Sequence, residues 1–326
     1  MMKGFALNWV VTNDGRAPLF GGRDLEMLHE LGAKVVRFEL RVGALPDWTG
    51  DLIGRYAAIT RQLTGAGITP IGLIYADAVP GAKQVDWNAS NAETAGGTGE
   101  NPFTLRFADL ARRLADALPD ITLWEIWNEP NAWRQHNGSA YSGGSFIYPS
   151  NFAALLIRVG AAIKGVRPTA TIITGGLLSH NNHGVLNTQN SGADYLQDLY
   201  TALKRLGAGP LPFDAIGQHL YVDQPGQADP GHSWQYISHL QAIAQRNEGG
   251  VGRPLYITEA AWTTTAVSPE VQAANLRTLY EVCGRDDRVA AVCWFQVRDN
   301  PPGNQYFGVC APDWSRKPAF DVFQAV

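Results

Sequence analysis

Two glutamates, Glu129 and Glu259, each close a short strand-like run. Glu129 lies in Trp127-Asn-Glu-Pro130 and Glu259 in Leu255-Tyr-Ile-Thr-Glu-Ala-Ala-Trp262. Cleavage of a glycosidic bond needs two carboxyl groups facing one sugar. One protonates the leaving oxygen and the other attacks the anomeric carbon or activates water. A retaining pair stands roughly 5–5.5 Å apart and an inverting pair roughly 6.5–9.5 Å apart. A glutamate at a strand end can also be a plain solvated residue. Two of them at the same relative position in their units favour a shared site.

Other residues invite competing chemistry. Glu125 shares the strand and the parity of Glu129. Four residues below the strand end it is too deep to reach a substrate, so a structural pairing with a basic or amide group is expected. His180 and His183 flank Asn181 and Asn182. They lack a carboxylate partner and the His-x-x-x-His spacing of a helical metal site, so no metal is expected. A metal-dependent barrel hydrolase would need clustered His and Asp at strand ends, and only His219 fits. Asp77 and Asn88 are read either as substrate contacts or as helix caps.

The elements that must position these residues recur regularly. Strand-like runs cover 4–10, 34–40, 69–75, 122–128, 171–177, 213–221, 254–258 and 289–297. Amphipathic stretches cover 22–31, 52–65, 103–118, 151–166, 193–206, 234–247 and 269–284, and a last one follows Lys317. Alternating strand and helix patterns predict a parallel sheet. Eight such units in 326 residues predict one (β/α)8 TIM barrel spanning 1–326. An open dinucleotide-binding sheet would carry Gly-x-Gly-x-x-Gly after its first strand. Here that place reads Asn8-Trp-Val-Val-Thr-Asn13. Gly32, Gly67, Gly165 and Gly207 stand where helix C-caps are expected. Long segments at 76–102, 130–150 and 178–192 follow strands three, four and five. In a barrel such loops lie on the catalytic face, so they predict a built-up cleft.

Composition narrows the function classes. Hydrophobic residues make up 45% of the chain and charged residues 17%, which supports a large core and excludes global disorder. A formal charge of -4 without a basic cluster predicts no nucleic-acid partner. No apolar run reaches membrane-spanning length, and no cofactor motif or protein-binding segment stands out. The first strand begins near Lys3, leaving no room for a signal peptide, so a cytoplasmic protein or a trimmed secreted one is expected. Three cysteines cannot all pair, and Cys293 in its apolar run is expected to be a buried thiol. Ten tryptophans are many; several are expected to pack the core, and Trp9, Trp48, Trp87, Trp133, Trp262 and Trp294 stand where they could instead stack on a sugar.

The run Trp124-Glu-Ile-Trp-Asn-Glu-Pro-Asn131, followed by Trp133, resembles retaining β-glycosidases built on (β/α)8 barrels, most closely glycoside hydrolase families 39 and 5. That resemblance implies Glu129 as acid/base and Glu259 as nucleophile. It implies Asn128 at the sugar 2-hydroxyl, Arg37 and the pair His219 and Tyr221 around the nucleophile, and Trp294 beneath the reacting sugar. Trp133 and Trp262 are further candidate substrate contacts. Glu39 and the His180–His183 loop have no counterpart in the pattern. Arg37 and Tyr221 would favour the charge on Glu259. A tryptophan-lined pocket and that charge would raise the pKa of Glu129, which would fall again once Glu259 is esterified. The implied activity is hydrolysis of β-linked carbohydrate, endo-acting on a polysaccharide or oligosaccharide given the long aromatic loops. The alternatives are exo action and a sugar-binding barrel without turnover.

Overall fold

The computed structural model describes residues 1–88, 100–132, 135–136, 139–140, 145–179, 192–221 and 233–326. Eight parallel strands close into a barrel: β1 (Met2–Ala6), β2 (Val35–Leu40), β3 (Thr69–Ile74), β4 (Leu123–Asn128), β5 (Thr171–Leu178), β6 (Ile216–His219), β7 (Leu255–Ala260) and β8 (Val289–Phe295). Each strand pairs with its neighbours in chain order, and β1 pairs with β8 to close the ring. Eight α-helices among the described residues surround it: α1 (Gly22–Glu30), α2 (Gly50–Gly65), α3 (Pro102–Ala117), α4 (Pro149–Val166), α5 (Gly192–Arg205), α6 (Ser233–Asn247), α7 (Pro269–Gly284) and α8 (Pro318–Ala325). After β4, Gln135–His136 pairs antiparallel with Ser139–Ala140. Among the described residues no helix is long and apolar enough to cross a membrane. The expected (β/α)8 barrel is therefore the fold.

Local chemistry sets the helix limits. Thr49, Asn101 and Ser268 cap α2, α3 and α7 by accepting backbone N–H bonds, and Pro102 and Pro269 fill the first helical position behind two of them. Gly32, Gly67 and Gly207 have φ between 67° and 71°, the left-handed geometry of a C-cap. Gly165 does not: it lies inside α4, whose cap is Arg167.

The strand ends shift from their sequence limits, and three of the shifts bear on the site. β1 starts at Met2, which pairs with Ala291, and ends at Ala6, so Asn8 and Trp9 belong to the loop above it. β6 is held to Ile216–His219, leaving Tyr221 just past its end. β7 runs on to Ala260, because Glu259 itself pairs with His219.

Register decides which side chains face the lumen, since strand residues alternate between faces. Ala6 pairs with both Arg37 and Phe295, and Leu73 with both Glu39 and Glu125. These charged residues point inward. Phe5, paired with Val36 and Trp294, points outward and stacks on Phe323 of α8 at 4.3 Å. Phe323 also packs edge-on to Tyr280 of α7 and is fully buried. The C-terminal helix thus covers the seam where β1 meets β8. Phe323→Ala should open a cavity there and cost roughly 3–5 kcal/mol, read from urea unfolding.

Candidate active site

Arg37 of β2 organises the lumen. Its Nε donates to Glu125 Oε2 at 2.6 Å, its Nη1 to Glu259 Oε1, and its Nη2 to Asn128 Oδ1 at 2.7 Å. The guanidinium is 4% exposed. Glu259 also accepts from the Tyr221 hydroxyl at 2.7 Å. His219 is fully buried, with Nδ1 3.0 Å from Glu129 Oε1 and Nε2 3.8 Å from Glu259 Oε1. Facing oxygens of Glu129 and Glu259 lie within 4.8 Å of one another and of the His219 ring. Six residues singled out in the sequence, Arg37, Asn128, Glu129, His219, Tyr221 and Glu259, therefore meet in one place.

Asn128 and Glu129 are consecutive, yet both face the pocket. A regular strand would send them to opposite sides. The chain avoids this by kinking: Trp127 has φ 77° and Glu129 has φ 45°. Left-handed backbone at a tryptophan costs on the order of 1–3 kcal/mol. The kink also sends the Trp127 ring outward, where it packs edge-on to Tyr75 and Trp87 and donates from Nε1 to the Ser145 carbonyl at 2.7 Å. Ser145 Oγ in turn donates to the Glu129 carbonyl at 2.9 Å. The 145–148 segment thereby braces the backbone that carries Glu129.

Two glycines of β5 make room for this arrangement. A Cβ on Gly175 would stand 2.6 Å from the Trp127 carbonyl oxygen. A Cβ on Gly176 would stand 2.1 Å from the His219 ring. Side chains at either place would push against the kink or the imidazole. Adjacent glycines inside a strand are a sequence signal of such close approach, one that lies outside the glutamate motifs.

The electrostatics separate the groups. Burial works against a charge on Glu259, but His219, Arg37 and the Tyr221 hydroxyl outweigh it and hold its pKa below the usual carboxylate value. Burial also opposes protonation of His219, and the carboxylates of Glu259 and Glu129 overcome it, raising the imidazole pKa. The Tyr221 hydroxyl is raised well above its normal value, by burial first and by Glu259 second, so it stays a donor. Because folding lowers the Glu259 pKa, the ionised side chain stabilises the fold above the unfolded carboxylate range. That contribution is lost as pH falls through the lowered value.

The tryptophan expectations fare differently. Trp294 and Trp262 are buried and pack on each other at 5.9 Å, outside the barrel lumen. Trp294 Nε1 donates to the Phe307 carbonyl at 2.9 Å. The residue of β8 that faces the site is Phe295, edge-on to Tyr221 at 6.5 Å. Alternation along β8, with Cys293 directed at Arg37, is the physical reason for the difference. Trp48 and Trp87 are core residues. Trp9 is 51% exposed, with the Arg41 guanidinium 4.0 Å from its ring. Trp133, His180 and His183 lie outside the described residues. Asn88 neither caps a helix nor faces the pocket, because it bonds Phe146 and Tyr148 of the β4 loop. Asp77 stands beside Arg41 and Glu39 near the barrel mouth. Burial and Asp77 raise the Glu39 pKa well above normal. Cys283, Cys293 and Cys310 are all free and buried.

Two substitutions test this geometry. Gly176→Ala should displace the His219 ring and lower turnover about 100-fold, the scale of a 1 Å misplacement. Tyr221→Phe removes a hydrogen bond to a charged group, worth about 1.5–3 kcal/mol, so Glu259 should titrate roughly one to two pH units higher. The acidic limb of the kcat/KM profile should move up with it.

No family model matches the sequence, and no curated protein matches it. Solved structures do resemble the fold. A family 39 glycoside hydrolase from Bacteroides cellulosilyticus WH2 superposes with TM-score 0.68 at 19% identity, over 99% of this chain and 62% of that one. The chain thus spans under two thirds of that structure's length. A structure of fungal β-1,4-galactanases gives TM-score 0.66 at 16% identity over 100% of both chains. A GH5_18 protein of Streptomyces cattleya in complex with GlcNAc gives 0.64 at 15% identity, over 100% of this chain and 80% of that one. At these identities the likeness is one of fold: the (β/α)8 barrel shared with glycoside hydrolases of families 39 and 5.

Proposed function

We propose that the protein is a retaining β-glycoside hydrolase, with Glu259 as nucleophile and Glu129 as acid/base. The observation that carries this reading is the separation of the two carboxyl groups. Facing oxygens within 4.8 Å of one another suit direct attack on the sugar and favour the closer, retaining spacing over the wider inverting one.

In the first step a Glu259 oxygen attacks the anomeric carbon as the bond to the leaving oxygen breaks. The bonding pair goes to the leaving oxygen, which takes the proton of Glu129. A neutral glycosyl ester results. In the second step water attacks the same carbon and gives its proton to Glu129. The ester bond breaks as the bond to water forms, and its electron pair returns to Glu259. His219, bonded to Glu129 and facing Glu259, orients the acid/base. Asn128, fixed by Arg37, is placed for the sugar 2-hydroxyl, where hydrogen bonds strengthen in the transition state.

The substrate class we favour is a β-linked polysaccharide or oligosaccharide cut internally. Trp9 supports it, as an exposed indole held face-on by Arg41 at the catalytic end of β1. Similarity over full length to β-1,4-galactanases makes β-1,4-galactan the first polymer to try. Product analysis over galactan, glucan, xylan and mannan should show a ladder of oligosaccharides from the start. Release of monosaccharide alone would favour exo action.

Glu259→Ala and Glu129→Ala should each lose at least ~100-fold in turnover. Azide should rescue the first as the α-glycosyl azide and the second as the β-glycosyl azide. Full activity in both variants would end the reading. Glu129, His219 and Glu259 could also present three ligand atoms to a metal ion. Arg37 already brings a positive charge to Glu259, so EDTA should leave activity unchanged. Activity lost to EDTA and restored by a divalent ion would favour a metal-dependent hydrolase instead.

A further inference from the structure

Glu125 is fully buried one layer beneath the two cleft carboxyl groups. Its Oε2 accepts from Arg37 Nε at 2.6 Å, and its Oε1 accepts from the Gly176 amide at 3.0 Å and from Thr258 Oγ1 at 2.8 Å. Strands β4, β2, β5 and β7 are thereby tied to one carboxylate that cannot swing. We propose that Glu125 is a positioning residue whose charge, acting through Arg37, balances the guanidinium while Glu259 is esterified. The inference rests on the double-displacement reading above.

The argument is one of charge. In the free protein the buried Arg37 cation is bonded to two carboxylates, Glu125 and Glu259. Formation of the glycosyl ester neutralises Glu259, and the guanidinium stays where it was. Without a second anion it would become an unpaired buried cation, which is strongly unfavourable. Glu125 remains bonded to it throughout. It also draws part of the guanidinium's field away from Glu259, leaving that carboxylate more nucleophilic. Both effects act in the same direction on each half-reaction. Removing the charge of Glu125 should hinder ester formation, which discharges Glu259. It should not hinder ester hydrolysis, which restores the charge beside Arg37. A residue that only held the barrel together would slow both.

The titratable groups around Glu259 are Arg37 from β2, Glu125 and Glu129 from β4, His219 and Tyr221 from β6 and its end, and Cys293 from β8, and of these His219, Arg37 and the Tyr221 hydroxyl hold its pKa down against burial. Glu125→Gln makes this surrounding more positive and should move the Glu259 midpoint to lower pH. Thr258→Val removes one bond to Glu125 and keeps its charge, so it should leave that midpoint in place.

The test uses the full chain and the 2-deoxy-2-fluoro-β-D-galactosyl, -glucosyl and -mannosyl fluorides as probes. Labelling of Glu259 is followed by intact mass, and reactivation is followed after removal of excess probe. In Glu125→Gln, labelling should slow at least about tenfold while reactivation is equal or faster. Proportional slowing of both steps, or no change in either, overturns the inference. Should that variant not fold, Glu125→Asp keeps the charge but withdraws it from Arg37. It should show the same imbalance in smaller measure, and equal changes in both steps would overturn the inference. If no probe labels the wild-type protein, these single-sugar probes do not fill its site, and the first-formed anomer of the product decides the double-displacement reading. The coupling is then read by carbon-13 NMR titration of Glu259, where an unshifted midpoint in Glu125→Gln overturns it.

Discussion

One guanidinium, that of Arg37, fixes the positions of three functional side chains. Its three nitrogens reach Glu125 on β4, Glu259 on β7 and Asn128 at the end of β4. A buried arginine is stable only when its charge and its donors are met, and removal of one partner from a buried pair typically costs about 3–5 kcal/mol. Here the partners come from strands on different sides of the ring. The barrel must close in this register for the arginine to be satisfied, and the satisfied arginine aims the carboxylate that faces the cleft. Fold and site are in this sense one constraint.

The acid/base side depends on a different device. Placing Asn128 and Glu129 on the same side of β4 requires left-handed backbone at Trp127 and Glu129. The buried Trp127 ring, its bond to Ser145 and the bare backbone of Gly175 and Gly176 hold that geometry. The strain is local, and its compensation lies in the packing of three neighbouring segments. Glu129 therefore meets His219 and Glu259 above the regular pairing of β4 with β3.

Much of this was legible in the sequence. The strand and helix alternation pointed to a barrel because strand and helix periods follow one another eight times, with glycines such as Gly32, Gly67 and Gly207 closing helices. The glutamate motifs and the resemblance to β-glycosidases together pointed to six residues that meet in space. What failed was the facing of side chains. Trp294 looked like a cleft residue by its place on β8, but strand alternation turns it outward and brings Phe295 to the site. Glu125 was readable as a structural carboxylate, whereas its three simultaneous bonds depend on register across strands that are distant in sequence. Gly165 resembled a helix terminator because a local residue preference cannot know that packing against α3 and α5 continues the helix.

The chemical proposal turns on whether Glu259 forms a bond to the sugar, and the stereochemistry of the product reports that most directly. Proton NMR of the anomeric signals during hydrolysis of a β-linked substrate resolves the first-formed product before mutarotation mixes the anomers. Double displacement through Glu259 predicts that the β-anomer appears first. Initial release of the α-anomer would contradict the account and assign the two carboxyl groups to a single displacement by water.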